Sequence, residues 1–163
     1  MRIDRIVVDS SPLIALFRSG REALLPMLFS QIAVPDAVWC EVVEGGHHDA
    51  AATRLEQTDW AMRLPRVGID SAVQSWGLGA GESAVLIFAT QHPDFRAAVD
   101  DAAARRCARS LGIATLGTGG ILLLAKRRGL IASLADELAS LQESGLWLGE
   151  RLIDLLLQQA GER

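Results

Sequence analysis

Cysteine is scarce in this chain: Cys40 and Cys107 are the only two. They lie far apart and beside no other metal-ligand pattern, which favours reduced core thiols over a bridge or a metal site. Positive charge is not in excess either, since the formal net charge is −4 and the pI about 5.3. Binding to a phosphate backbone draws on a basic surface, so any such surface here must be local. Lys126 is the only lysine among sixteen basic residues, and arginine grips phosphate bidentately where lysine cannot. In the C-terminal third, the longest uncharged stretch, residues 112–125, is too short to cross a bilayer and is broken by four glycines. A basic start followed by an apolar run and a small-residue cleavage site is also lacking, so the cytosol is the expected compartment. No Gly-Lys-Ser/Thr phosphate loop is present, which argues against nucleotide-driven chemistry.

What is present is a chain of 163 residues, 50% hydrophobic and 22% charged, enough to bury a core without disulfides or a structural metal. Residues 2–9 read as a short apolar strand ending in Asp9. Ser11 and Pro12 then read as an N-cap and first helical position, with Leu13, Ile14, Leu16 and Phe17 continuing the helix. A second strand at 31–34 leads into a helix carrying Val38 and Val42 that stops at Gly45 and Gly46. Weaker signals predict a helix at 50–57, a strand at 61–64 and a helical turn at 71–76. Gly79, Ala80 and Gly81 open a helix whose Val85, Leu86 and Ala89 share a face. A strand at 96–99 closes on Asp100 and Asp101, a helix with Ala103, Cys107 and Leu111 follows, and a strand at 113–116 turns through glycines into a helix at 121–128. Two helices complete the chain: one opened by Ser133 and Asp136 as a capping box, the other amphipathic over 148–159. Strands alternating with helices across short loops imply an α/β fold with a parallel sheet covered on both faces.

In such a sheet the carboxyl ends of the strands open on one edge, and ligands gather where the strand order reverses. Asp9 ends one strand and the Asp100-Asp101 pair another, so the acids meet at one crevice if those strands are neighbours. Glu82 shares its face with Val85, Leu86 and Ala89, and Glu41 follows Val38 by three residues, which puts both acids on faces expected to be buried. Ionised carboxylates withdrawn from water repel one another and raise their own pKa values unless something compensates. Arg105 is the only arginine abutting these motifs. Mg²⁺ or Mn²⁺, which prefer carboxylate oxygens and water, would compensate, and such a site suits metal-assisted phosphodiester hydrolysis.

The segments 6–14 (IVVDSSPLI), 34–42 (VPDAVWCEV), 79–84 (GAGESA) and 99–101 (VDD) resemble the successive acidic motifs of PIN-domain nucleases. The likeness runs from about Ile3 to Gly129, and the Gly117-Thr118-Gly119 turn with the stretch after it is most similar to a little-characterised prokaryotic branch of that family. It implies a three-layer α/β/α sandwich with a mostly parallel sheet, one domain over residues 1–163, and 131–163 as a C-terminal helical extension. It further implies cleavage of single-stranded RNA with Mg²⁺ or Mn²⁺, often as the toxin of a toxin–antitoxin pair, with an antitoxin protein as partner. By position, Asp9, Glu41, Glu82 and Asp101 would carry catalysis, with Asp9, Glu82, Asp100 and Asp101 as metal ligands; between the two adjacent aspartates the motif does not choose. Ser10 and Thr118 would support those ligands, Thr118 through water. Val99 stands where a threonine is usual, and Glu82 where aspartate is commoner.

Plainer roles compete for several of these residues. Glu82 suits a helix first turn, Glu41 a solvated helix position, Thr118 a cap, and one of the adjacent aspartates the start of the next helix. His47 and His48 lack a third ligand and read as a solvated loop. Trp39, Trp60, Trp76 and Trp147 are able to stack on bases, though packing is the default. Arg105, Arg106 and Arg109 with Lys126, Arg127 and Arg128 form either a phosphate-binding rim or a solvated face. A haloacid-dehalogenase-type phosphatase would need an aspartate where Ser11 stands, and a response-regulator receiver a lysine after its fifth strand. Two functions remain: a metal-dependent endoribonuclease, and a non-catalytic module of the same fold that binds RNA or a protein. A homodimer through the apolar tail 153–157 is a further expectation.

Overall fold

The computed structural model describes residues 4–45 and 49–163. His47 and His48 lie outside them. Five strands form one sheet: β1 (Arg5–Val8), β2 (Gln31–Pro35), β3 (Ala61–Leu64), β4 (Arg96–Ala98) and β5 (Thr115–Leu116). All pairings are parallel, in the order β3-β2-β1-β4-β5. Ile6, Val7 and Val8 on the central strand are fully buried, the pattern of a strand covered on both faces. The chain walks outward from β1 through β2 to β3, then returns to place β4 on the other side of β1. The order therefore reverses between β1 and β4, and the crevice beyond their carboxyl ends is where such sheets hold ligands.

Ten helices flank the sheet among the described residues, making a three-layer α/β/α sandwich: α1 (Ser10–Arg18), α2 (Leu24–Leu28), α3 (Asp36–Glu44), α4 (Ala50–Arg54), α5 (Ser71–Gln74), α6 (Ala80–Gln91), α7 (Ala102–Ser110), α8 (Thr118–Arg127), α9 (Leu134–Glu143) and α10 (Glu150–Gln159). The expected helix at 50–57 is α4 followed by a 3-10 turn, Leu55–Gln57. No helix among the described residues is long and apolar enough to cross a membrane.

Two local readings are corrected and a third is extended. Helix α1 starts two residues earlier than its Ser11-Pro12 signal: Asp9 holds the N-cap position and Pro12 is the third helical residue. Proline fits there because the first-turn amides have no intrahelical acceptor. The cap position of Asp9 carries no side-chain capping bond, which leaves its carboxylate to face the crevice. Helix α8 begins at Thr118, with Gly117 as its N-cap, rather than at 121. Ser133 does cap α9, accepting from the Asp136 amide at 3.1 Å, but the carboxylate of Glu162 also reaches that helix start, accepting from the Leu134 and Ala135 amides at 2.6 and 3.0 Å. These contacts hold the Glu162 carboxyl below its ordinary range.

The tail packs on its own chain. Helices α9 and α10 lie against α8 and against each other. A methyl group on Gly119 would stand 2.7 Å from Leu156, so the glycine permits the close α8–α10 approach. Leu156 and Leu157 are thereby committed to the core, and Leu152 and Leu155 remain exposed.

Candidate active site at the sheet edge

Asp9 follows β1 directly, its amide donating to the Ala98 carbonyl of β4 at 3.0 Å. That bond ties the end of β1 to the strand leading into Asp100. Asp9 is 4% exposed. Burial pushes its carboxyl from 3.8 to about 7; the Ser10 amide pulls the other way, and the negative fields of Glu82, Glu41 and Asp100 add to the rise.

Glu41 sits near the end of α3 and is more exposed than its spacing from Val38 suggests, because the long side chain reaches the crevice from its rim. Its two oxygens accept from the Ser10 hydroxyl at 2.5 Å and the Gly81 amide at 3.1 Å. A methyl group on Gly81 would lie 2.8 Å from Glu41 Oε1 and 3.2 Å from Asp9 Oδ1. Gly81 is therefore the residue that lets α6 approach two carboxylates at once. One residue on, Glu82 accepts from the Gly79 amide at 3.3 Å, which settles it at the helix start as the first-turn reading expected. Partial burial raises the Glu82 carboxyl, with the fields of Asp101 and Glu41 adding to the effect.

The adjacent aspartates diverge. Asp100 turns to the start of α8, where Oδ1 accepts from the Thr118 amide at 2.7 Å and Oδ2 from the Thr118 hydroxyl at 2.6 Å. Ser11 approaches the same carboxylate at 3.4 Å. Thr118 is fully buried. Asp101 is exposed and caps α7, accepting from the Ala104 amide at 2.9 Å, although Glu82 still feels its charge. The sequence places Gly81 at the start of this helix without showing its role beside two carboxylates, and it gives Thr118 a supporting role through water where the structure shows a direct bond to Asp100.

The donor set is entirely oxygen, as a hard cation prefers. Among the described residues no three acidic, histidine or cysteine side chains already form a metal cage. Mg²⁺ does not need one: it keeps several waters and is held by one or two carboxylates plus substrate phosphate oxygens. Because Gly81 has no side chain, the Asp9 and Glu41 oxygens beside it stay uncovered, the condition an oxygen-ligated ion needs.

The basic residues divide. Lys126 donates to the Ala132 carbonyl at 2.5 Å and pairs with Glu162 at 3.4 Å, so its charge is used in holding the tail. Arg106 is exposed. Arg105 donates to the Val99 carbonyl at 3.3 Å and stands over Gly117 beside Asp100. Of the tryptophans, Trp39 is buried under Arg63 and Trp60 stacks near Phe17, while Trp76 and Trp147 are exposed. Both cysteines are free. Beyond Glu41 a mostly apolar hollow of about 760 Å³ runs between α3, α6 and residues 66–70.

A family model described as a PIN domain matches residues 5–162, a span that includes both C-terminal helices. Searches of curated proteins and of solved structures return no match.

Proposed function

The chain belongs to the PIN-domain family, whose members are generally nucleases that use divalent metals, and from that premise we propose that it is a Mg²⁺- or Mn²⁺-dependent endoribonuclease hydrolysing RNA phosphodiester bonds. The observation that carries this reading is the convergence of Asp9, Glu41, Glu82 and Asp100, from four separate segments, on the crevice between β1 and β4. Asp9 and Asp100 would hold the ion, with Glu82 adding its charge beside them. Glu41, fixed by the Ser10 hydroxyl and the Gly81 amide, would orient a water beside the ion. Asp101, engaged in capping α7, contributes charge at the mouth. Bound there, a divalent ion supplies charge stabilisation and lowers the pKa of a water for in-line attack on phosphorus.

The protein's own groups do the rest. Thr118 fixes both oxygens of Asp100 so that the carboxylate meets the ion in one orientation. The burial that raises Asp9 also strengthens its attraction for a cation. A toxin role with an antitoxin protein as partner is the form of this activity that the family resemblance favours. Titrating Mn²⁺ into the protein while following thermal unfolding, together with cleavage of a labelled single-stranded RNA, tests the assignment. Stabilisation and cleavage are expected in the wild type, and both are lost in Asp9→Asn. A protein that Mn²⁺ neither stabilises nor activates would instead be a non-catalytic module of the same fold.

A further inference from the structure

A groove of about 520 Å³ opens from the crevice at Asp100 and Arg105 and runs past β5 to α10, ending at Trp147. Eight leucines line it together with Arg96, Arg105, Arg127 and Trp147. Arg5, Arg18, Arg21, Arg54, Arg63, Arg66, Lys126 and Arg163 all pair with carboxylates. Among the described residues Arg96, Arg105 and Arg127, which line this groove, carry no ion pair, and the buried Nε of Arg96 has no hydrogen-bond partner. Arg106, Arg109 and Arg151 likewise carry no ion pair among the described residues but lie outside the groove. At the far end the indole of Trp147 is 83% exposed, lying against Gly149 at 3.5 Å from where a methyl group would stand.

We propose that this groove is the track on which a single strand of RNA lies beyond the cleaved bond, with Arg96, Arg105 and Arg127 on its phosphates and Trp147 stacked on a base. The direction of the strand rests on the nuclease reading; the binding surface itself does not. Three arginines with no ion pair among the described residues, against the one carboxylate of Asp100, give a chain of net charge −4 the local positive charge that phosphate binding requires. An exposed indole supplies a stacking platform indifferent to base identity. Asp100 joins the track to the acids, so a strand seated here passes the crevice without a second site being needed.

The test is fluorescence anisotropy of a labelled twelve-nucleotide oligouridylate, read in EDTA, where metal-dependent cleavage is switched off. Trp147→Ala is expected to weaken binding about tenfold, with Trp147→Phe restoring most of it. Arg127→Ala is expected to weaken binding and to reduce the slope of log affinity against log salt by about 0.7. Both side chains are exposed, so folding is preserved and circular dichroism checks it. Wild-type affinity in both variants overturns the proposal, as does a wild type that fails to bind. If the variants instead change the molar mass in light scattering, the groove is an interface with a second copy, which also overturns it. Binding that depends on Trp147 in a protein that never cleaves with Mn²⁺ would remove the nuclease reading and leave the groove standing.

Discussion

On the β1 side of the crevice, Asp9 is buried, takes a hydrogen bond from its neighbour Ser10, and is pressed by the fields of three other carboxylates. On the β4 side, Asp100 is gripped at both oxygens by one buried threonine. One acid is left under electrostatic stress; the other is satisfied and immobile. Preorganised donors hold a ligand in place before the ion arrives, whereas a stressed carboxylate gives the ion something to relieve. A site needs both, because a fully satisfied crevice would have little attraction for a cation and a fully stressed one would protonate or splay.

Asp9→Asn breaks the comparison at its stressed end and should have the largest effect. Loss of the ion's contribution, several kcal/mol, corresponds to a fall of roughly a hundred- to a thousandfold in cleavage. The same change should stabilise the metal-free protein at neutral pH. A carboxyl at about 7 in the fold and 3.8 when unfolded binds its proton more tightly in the folded state. Its contribution therefore favours folding below about pH 4, is lost as pH rises towards 7 and is constant above that. The amplitude is at most about 4 kcal/mol. Urea denaturation in EDTA at pH 4.5 and 7.5 should show that difference in the wild type, shrunken in Asp9→Asn; equal pH dependence in the two would refute the burial argument.

At the satisfied end, Asp100→Asn should lower cleavage by about a hundredfold. Thr118→Val, which removes only the hydroxyl donor, should cost about 2 kcal/mol of stability and about tenfold in activity, with Thr118→Ser close to wild type. Gly81→Ala sharpens the contrast between the halves. The new methyl group displaces the flexible end of Glu41, so Mn²⁺ affinity by calorimetry should fall while the melting temperature hardly moves. The smallest effect is expected for Asp101→Asn, because asparagine caps a helix as well as aspartate does. A change within about threefold in cleavage separates it from Asp100→Asn, and a drop as deep would make Asp101 the ligand.

The two ends also differ in how much of them the sequence displays. Asp9 and the aspartate pair announce themselves as acids ending apolar strands, and the parallel pairing of β1 with β4 then brings them together. Which of Asp100 and Asp101 enters the crevice is set by Thr118, eighteen positions downstream of the first, and no local pattern carries that. Lys126 reads as part of a basic cluster, yet Glu162 claims it from the far end of the chain. Helix α2 escapes notice for a different reason: at five residues, Leu24–Leu28 with Pro26 inside it, it is too short to show a helical period. The proline sits third in the helix, inside the first turn, where its missing amide costs nothing.

The placement of β4 beside β1 has a consequence for synthesis. Residues 96–98 pair with residues 6–8, so a growing polypeptide that has not yet released its hundredth residue from the ribosome holds only part of the carboxylate set. Asp9 and Asp100 can meet only once the distant strand β4 has paired with the first one made.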